Sequence, residues 1–159
     1  MTTNLLPVRN ALVSVANKEG LVEFARALRG FGVELMATGG TYNALEEEKV
    51  QVRSLQDDLK LPSALSGRVK TLHYPLFAAI LAKHEPNQLR EIQGLGVKPI
   101  DMVVCNFYPF QKVISNPSAT QEEIIENIDI GGPSMVRASA KNFEYVTVVP
   151  SPTYYESVI

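Results

Sequence analysis

The sequence lacks most of the features that mark secreted, membrane-spanning and nucleic-acid-binding proteins. Its 159 residues include one cysteine, Cys105, so no disulfide forms within the chain, which fits a cytoplasmic protein. No apolar run approaches the roughly 20 residues of a membrane-spanning helix, and residues 1–8 do not resemble a signal peptide. The formal net charge is −2, without a run of lysines or arginines. Nucleic acid and anionic membranes are therefore poor candidate partners.

The chain also lacks the spacing of a metal site. His73 and His84 are its two histidines, and neither stands at ligand spacing from Cys105 or from a cluster of acidic residues. We therefore predict no metal. The ligand is expected to be a small molecule that a local group of cations binds.

Apolar strands and amphipathic helices alternate along the chain. Five short apolar segments are typical of strands: 11–16, 33–37, 50–55, 101–106 and 145–149. Helices are predicted between Asn17 and Gly32, after Thr120, and over 41–48, 87–95 and 133–142. This alternation predicts an α/β fold of three layers, a mainly parallel sheet with helices on both faces. We expect residues 1–159 to form one domain.

Local signals predict where helices begin and end. Asn17 is the predicted N-cap of the first helix, and Gly32 its end. Thr120 and Glu123 form a predicted capping box, whereas 77–82 fits either a strand or a buried helix. One apolar stripe of the first helix is predicted at Leu21, Phe24, Leu28 and Phe31.

A glycine turn, Thr38-Gly39-Gly40-Thr41, joins the second strand to the second helix. Its glycines let a ligand approach the backbone amides, and the helix that follows begins with free N–H groups and a partial positive charge. The turn therefore suits one phosphate, because the longer dinucleotide and triphosphate motifs are absent. A plain tight turn is the alternative.

A second glycine turn, residues 129–133 (Asp-Ile-Gly-Gly-Pro), precedes the helix that starts near Pro133. Asp129 either transfers a proton to a ligand at this turn or only caps the helix. Lys141 lies on the same helix, but some nine residues separate it from Gly132, which is about 14 Å along the axis. A contact between Lys141 and Asp129 is therefore the part of the predicted site that helix geometry supports least.

A basic segment, Gly67 to His73, contains Arg68 and Lys70 two residues apart. In an extended segment these two cations project to the same side, which favours an anion between them. A solvated basic turn is the alternative.

Polar residues follow the first and fourth predicted strands, where ligands of parallel sheets bind. Ser14 and Lys18 flank the end of the first strand, and Asn106 and Tyr108 follow the fourth. Packing is the alternative role of Tyr108, and Cys105 is by default a small buried hydrophobic residue.

Six segments in this order resemble one known family, the inosine monophosphate (IMP) cyclohydrolase domain: 14–20, 38–41, 67–73, 105–110, 129–132 and 137–142. The resemblance extends from about residue 9 to residue 155. This domain is usually the N-terminal half of a bifunctional enzyme of purine biosynthesis whose other half is a transformylase. Its fold is methylglyoxal-synthase-like and thus Rossmann-like.

The resemblance implies a reaction and the residues that carry it. The reaction closes 5-formamidoimidazole-4-carboxamide ribonucleotide to IMP with loss of water, and it needs no cofactor. The implied catalytic residues are Lys70, Tyr108, Asp129 and Lys141. Those implied to hold the ribose phosphate are Ser14, Lys18, Thr38, Gly39, Gly40, Thr41, Arg68 and Thr71, and those implied to line the base pocket are Cys105, Asn106, Ile130, Gly131 and Gly132.

Some positions depart from the family pattern, and other functions stay open. Ala16 and Asn17 stand where Ser and Asp are common, and Tyr74, Phe77 and Ala79 replace Pro, His and Gly. Methylglyoxal synthase and a non-catalytic nucleotide-sensing module are the alternatives. A transformylase half is absent, so we expect the chain to be part of a longer two-domain protein, and a homodimer is compatible with the sequence.

Overall fold

The core of the protein is a parallel β-sheet. A computed structural model describes residues 5–60, 65, 69 and 71–159. In these ranges the strands pair in the order β3-β2-β1-β4-β5, and every pairing is parallel. The predicted parallel α/β sheet is confirmed. The strands are β1 (Asn10–Val15), β2 (Glu34–Ala37), β3 (Arg53–Ser54), β4 (Met102–Asn106) and β5 (Thr147–Val149).

Helices connect and flank these strands. The ambiguous segment 77–82 belongs mainly to a helix rather than to a strand, and no described helix is long and apolar enough to cross a membrane. The last helix is preceded by a short 3₁₀ helix, Pro152–Tyr154. The helices are α1 (Leu21–Gly30), α2 (Gly39–Glu47), α3 (Leu55–Leu59), α4 (Tyr74–Leu81), α5 (Pro86–Gly94), α6 (Phe110–Ile114), α7 (Gln121–Glu126), α8 (Gly131–Lys141) and α9 (Tyr155–Val158).

Both faces of the sheet are covered by helices. Successive residues of a strand point to opposite faces, so Val13 of β1 packs in a cluster with Phe24 of α1, whereas Leu12 packs in another cluster with Ile80 of α4 and Met135 of α8. All five side chains are almost completely buried. The predicted three layers are therefore present, with two apolar cores separated by the sheet.

The start of α1 differs from the prediction. Its N-cap is Gly20, which has a left-handed φ of 64°, and Asn17 instead accepts a hydrogen bond at 3.0 Å from the backbone N–H of Glu19. Phe31 lies after the last helical residue and is 67% exposed, so it does not extend the apolar stripe. Gly32 follows with a φ of 82°, and the predicted helix end is confirmed.

The predicted capping box of α7 is confirmed. The Thr120 hydroxyl accepts a hydrogen bond from the backbone N–H of Glu123 at 3.2 Å, and the Glu123 carboxylate accepts one from the backbone N–H of Thr120 at 2.8 Å. This second bond lowers the pKa of Glu123 because it favours the charged form.

The sheet order creates a crevice between β1 and β4. From β1 the chain proceeds through β2 to β3 on one side, whereas β4 and β5 extend the sheet on the other side. The segments after β1 and β4 therefore diverge at the carboxyl edge of the sheet, and ligands of open α/β sheets bind at such a switch point.

Candidate active site

A cleft of about 810 Å³ lies at this switch point. It is formed by the segments after β1, β2 and β4 and by the start of α8. The structure thus brings together residues as far apart in the chain as Ser14 and Met135. The predicted site residues that line it are Ser14, Lys18, Thr38, Gly39, Gly40, Thr41, Thr71, Cys105, Asn106, Tyr108, Asp129, Ile130, Gly131 and Gly132.

Three predicted site residues are not placed in the cleft. Lys141 is the last residue of α8, is exposed and does not line it. Since Asp129 precedes the first residue of α8, the two side chains are at opposite ends of the helix. Arg68 and Lys70 lie outside the described residues, although Thr71, which follows them, lines the cleft.

One end of the cleft combines a helix N-terminus with a lysine. Gly39 and Gly40 are the first two residues of α2, and Gly39 has a left-handed φ of 48°. A Cβ at Gly40 would lie 3.9 Å from Lys18 Nζ, so the ammonium group is next to the first turn of α2. Within the described part of the chain, Lys18 has no acidic partner at ion-pair distance. These positive groups suit a phosphate.

The threonine hydroxyls of this turn lie within hydrogen-bonding distance of β1. Thr41 Oγ1 accepts a hydrogen bond from Val15 N at 3.0 Å and donates one to Val15 O at 3.1 Å. The hydroxyl groups of Ser14 and Thr38 lie 3.4 Å apart. Thr41 is thus engaged with the end of β1, which leaves the glycine amides and Lys18 for an anion.

The other end of the cleft contains Asp129. Its Oδ1 accepts a hydrogen bond from Gly132 N at 2.8 Å, so the carboxylate does cap the first turn of α8. Its Oδ2 accepts no hydrogen bond from any residue that the structure describes, and the residue lines the cleft. Capping and proton transfer are therefore compatible, because each uses a different oxygen.

Two glycines pack closely against the groups around Asp129. A Cβ at Gly132 would lie 2.8 Å from Asp129 Oδ2 and 2.8 Å from Phe107 Cδ1, and one at Gly131 would overlap Thr71 Oγ1. Neither position has room for a side chain unless these neighbours move. The missing side chain of Gly132 thus leaves room for the Asp129 carboxylate where it stands, and that of Gly131 leaves room for Thr71.

Beside the predicted Tyr108, a wall of the cleft is formed by apolar side chains that were not among the predicted site residues. Phe107 is 43% exposed and Tyr108 is 50% exposed. Exposed aromatic and aliphatic groups beside a polar cleft suit a flat ring such as a nucleobase. In the sequence, the one feature that could have indicated them is that apolar residues stand between polar site residues. That pattern by itself also fits ordinary packing. The additional apolar residues are Phe107, Leu72, Pro109, Ile125, Ile128 and Met135.

Cys105 lies under the floor of the cleft and is 1% exposed. Burial, together with the nearby negative charge of Asp129, raises the pKa of its thiol to about 12. The thiol is therefore neutral at physiological pH and behaves as a small apolar group.

We expect the Cys105 thiol to resist alkylation in the native protein between pH 7 and 9 and to react quickly after unfolding. The free energy of unfolding should fall as the pH rises from about 9 towards 12, because the unfolded thiol loses its proton first. Iodoacetamide labelling with and without denaturant tests the first expectation, and native labelling as fast as that of a free thiol would contradict the buried position.

The described residues contain no group of three or more His, Cys, Asp or Glu side chains that could hold a metal ion. A second cleft, of about 610 Å³, contains Arg9, Lys98 and Asp101. There Lys98 pairs with Glu34 at 2.9 Å, and the Asp101 carboxylate accepts hydrogen bonds from the backbone N–H groups of Arg9 and Asn10. Because Lys98 and Asp101 already have partners and no predicted site residue lines this cleft, the switch-point cleft is the stronger candidate.

Sequence comparison places the chain among known proteins. Residues 20–134 match the family described as MGS-like domain. The chain is 47% identical over 152 residues to the bifunctional purine biosynthesis protein PurH of Thermoanaerobacter sp. (strain X514) and 48% identical over 153 residues to that of Staphylococcus aureus (strain Newman). These matches cover 95% and 96% of this chain but only 30% and 31% of the relatives. The chain thus spans about a third of their length.

Solved structures show the same fold. The crystal structure of ForH superposes with a TM-score of 0.80 at 33% identity, over 96% of this chain and 78% of that one. A methylglyoxal synthase from Elizabethkingia anophelis NUHP1 superposes with a TM-score of 0.50 at 20% identity, over the same two fractions. This second likeness concerns the fold alone.

Proposed function

Because the chain belongs to the family of MGS-like domains, and because one cleft contains Lys18, a helix N-terminus and Asp129, we propose that it is an IMP cyclohydrolase of purine biosynthesis. Its substrate is 5-formamidoimidazole-4-carboxamide ribonucleotide. The observation that carries the proposal is that Lys18, the first turn of α2 and Asp129 line one cleft. Its relatives named PurH support the pathway.

The substrate phosphate is proposed to bind beside Lys18 and the N-terminus of α2. The amides of Gly39 and Gly40 and the lysine ammonium supply positive charge, and no acidic group of the described residues lies at ion-pair distance from the ammonium. The 5′-phosphate of a ribonucleotide matches this charge. Its base then extends towards the apolar wall and Asp129, at the other end of the same cleft.

Ring closure needs proton transfer at three atoms. The carboxamide nitrogen attacks the formyl carbon and loses one proton, the formamide nitrogen loses another as the ring C=N bond forms, and the former formyl oxygen gains both protons and leaves as water. An amide nitrogen is a poor nucleophile, so general acid–base groups and a fixed orientation each contribute. We assign the proton at the formyl oxygen to Asp129, whose Oδ2 is the carboxylate oxygen not used for capping.

Proton removal from the attacking carboxamide nitrogen is assigned to Tyr108 and Lys70. Tyr108 lines the cleft and is half exposed, so its hydroxyl is available to a ligand, and Lys70 is proposed from the family resemblance. Lys141 keeps its catalytic assignment only through that resemblance, since its place at the far end of α8 gives it no contact with the cleft.

The greater length of the PurH relatives suggests a further domain as a partner of this chain. Since this chain matches about a third of each PurH relative, we propose that it works beside a transformylase domain in a bifunctional enzyme. The small-molecule partners are the formamido ribonucleotide and IMP. No step of the ring closure is redox chemistry, so we propose that no cofactor takes part.

A substrate comparison tests the proposed function. The purified chain is incubated with the formamido ribonucleotide and, separately, with dihydroxyacetone phosphate, and products are separated by chromatography. We expect IMP from the first and no methylglyoxal from the second, with Lys70→Ala abolishing IMP formation while IMP binding falls modestly. Methylglyoxal formation would support the synthase instead, and IMP binding without turnover would support a sensor.

Lys18→Met is expected to weaken IMP binding about tenfold or more while leaving the binding of inosine, which lacks the phosphate, unchanged. The reason is that a charge-assisted hydrogen bond to the phosphate contributes roughly 1.5–3 kcal/mol. Titration calorimetry with both ligands measures the difference, and Lys112→Met, on the exposed face of α6, is the matched control. If Lys18→Met weakens the binding of IMP and of inosine by the same factor, Lys18 does not contact the phosphate.

A further inference from the structure

We propose that Asn106 is a positioning residue that holds the loop carrying Lys18 in its phosphate-binding conformation. This role rests on the proposed function, and it differs from the expectation that Asn106 contacts the base. Asn106 is the last residue of β4, beside Val15 at the end of β1 in the parallel ladder. From there its side chain reaches the loop that follows β1.

The amide of Asn106 is bonded to that loop on both sides. Its Oδ1 accepts hydrogen bonds from Ala16 N and Asn17 N, each at 2.8 Å, and its Nδ2 donates to Asn17 O at 2.9 Å. An oxygen that receives two backbone N–H groups has no lone pair left for a third strong donor. The oxygen of Asn106 and one of its two N–H groups are therefore committed to the loop.

A second side chain holds the same loop from the opposite direction. Thr41 Oγ1 accepts from Val15 N and donates to Val15 O, so the backbone N–H groups of three successive residues, 15 to 17, all end on side chains. These amides are not available to a phosphate. The residue of the loop that remains for an anion is consequently Lys18, one residue beyond the bonds to Asn106.

The position of Lys18 depends on these bonds. The side chains of residues 16–18 are partly or fully exposed, so apolar packing does little to fix this part of the loop. Its conformation comes from hydrogen bonds, with the help of Asn17 Oδ1, which accepts from Glu19 N at 3.0 Å. A loop ordered in advance spares the ligand the entropy cost of ordering it.

Replacing Asn106 should weaken only the binding of ligands that carry the phosphate. We expect Asn106→Ala to weaken IMP binding about tenfold and to leave inosine binding within about twofold, since only the phosphate contact depends on Lys18. In turnover, KM should rise with kcat nearly unchanged, because the lost contact is made equally in the ground state and the transition state. A base-contacting Asn106 would instead weaken inosine and IMP alike, which would overturn the inference.

A double-mutant cycle with Lys18→Met separates positioning from an independent contact. Once Asn106 is alanine, replacing Lys18 should cost clearly less IMP affinity than it costs in the wild type. Full additivity of the two losses would contradict the proposal. Asn116→Ala is the matched control, because Asn116 Oδ1 also accepts a backbone N–H, from Ser118, but lies outside the cleft; it should change no binding constant.

Amide hydrogen exchange gives a readout that does not need the proposed reaction. The N–H groups of Ala16 and Asn17 should exchange faster in Asn106→Ala, while those of β1 and β4 stay protected, which also shows that the variant is folded. If the exchange rates at both positions stay unchanged, the hydrogen bonds from Asn106 do not hold the loop, and the proposal is wrong. If exchange rises but wild-type protein binds IMP no better than inosine, the phosphate role of Lys18 is wrong, and the proposed function fails with it.

Discussion

Asp129→Asn is expected to lower kcat for ring closure by about 10²- to 10⁴-fold, the usual contribution of a general acid–base group. An asparagine oxygen can still accept the hydrogen bond that Asp129 Oδ1 receives from Gly132 N, so the start of α8 should be retained. What is lost is the ability to transfer a proton and the negative charge. Stopped-flow or steady-state formation of IMP measures kcat, and calorimetry measures IMP binding, which should change little.

The control for this substitution is Asp57→Asn, the same change in the exposed first turn of α3, outside the cleft. It should leave kcat unchanged. The loss of the charge at the N-terminus of α8 costs roughly 0.3–1 kcal/mol of stability, which thermal unfolding can detect. If Asp129→Asn keeps more than a tenth of the wild-type kcat, Asp129 is only a cap.

Gly132→Ala is expected to lower kcat by about a hundredfold while the protein stays folded. The added methyl group would stand 2.8 Å from both Asp129 Oδ2 and Phe107 Cδ1. Both neighbours are side chains and can move, so the fold tolerates the change, but the carboxylate must shift. A misplacement of about 1 Å at a reacting group can cost a factor of about 10² in rate. The measurement is kcat together with the midpoint of thermal unfolding.

Gly30→Ala is the matched control, since Gly30 ends α1, has an ordinary φ, and a Cβ there would meet no atom within 4 Å. It should leave kcat unchanged and stabilise the protein slightly, because alanine loses less entropy in a helix than glycine. A Gly132→Ala variant with normal kcat would mean that the position of Asp129 is not critical. A variant that fails to fold would show that the neighbours cannot move.

The fold could be predicted from the sequence because its signals are local. The contiguous apolar residues of β4, the alternation of segment types and the helix end at Gly32 each depend on a few neighbouring residues. The predicted cap at Asn17 was wrong for a tertiary reason. The loop after β1 is held by Asn106 of β4 and Thr41 of α2. Helix α1 therefore begins only after Gly20, which is its N-cap. No local pattern around Asn17 contains that information.

The sequence could predict most residues of the candidate site, but not which groups each of their side chains would bond. Glycines, Lys18 and Asp129 have recognisable chemistry, and parallel topology brings the ends of β1, β2 and β4 to one edge. The use of the Thr41 hydroxyl and of the Asn106 amide by the backbone depends on distances of about 3 Å between segments far apart in the chain. The distance of Lys141 from the cleft, by contrast, followed from helix geometry and could be anticipated.

The most direct measurement of the central claim is a crystal structure of the chain with IMP bound. The account predicts the phosphate within hydrogen-bonding distance, about 3 Å, of Lys18 Nζ and the first amides of α2, with the base between the Phe107–Tyr108 wall and Asp129. A phosphate at the second cleft, beside Arg9 and Lys98, or a base that leaves Asp129 without contact, would contradict it.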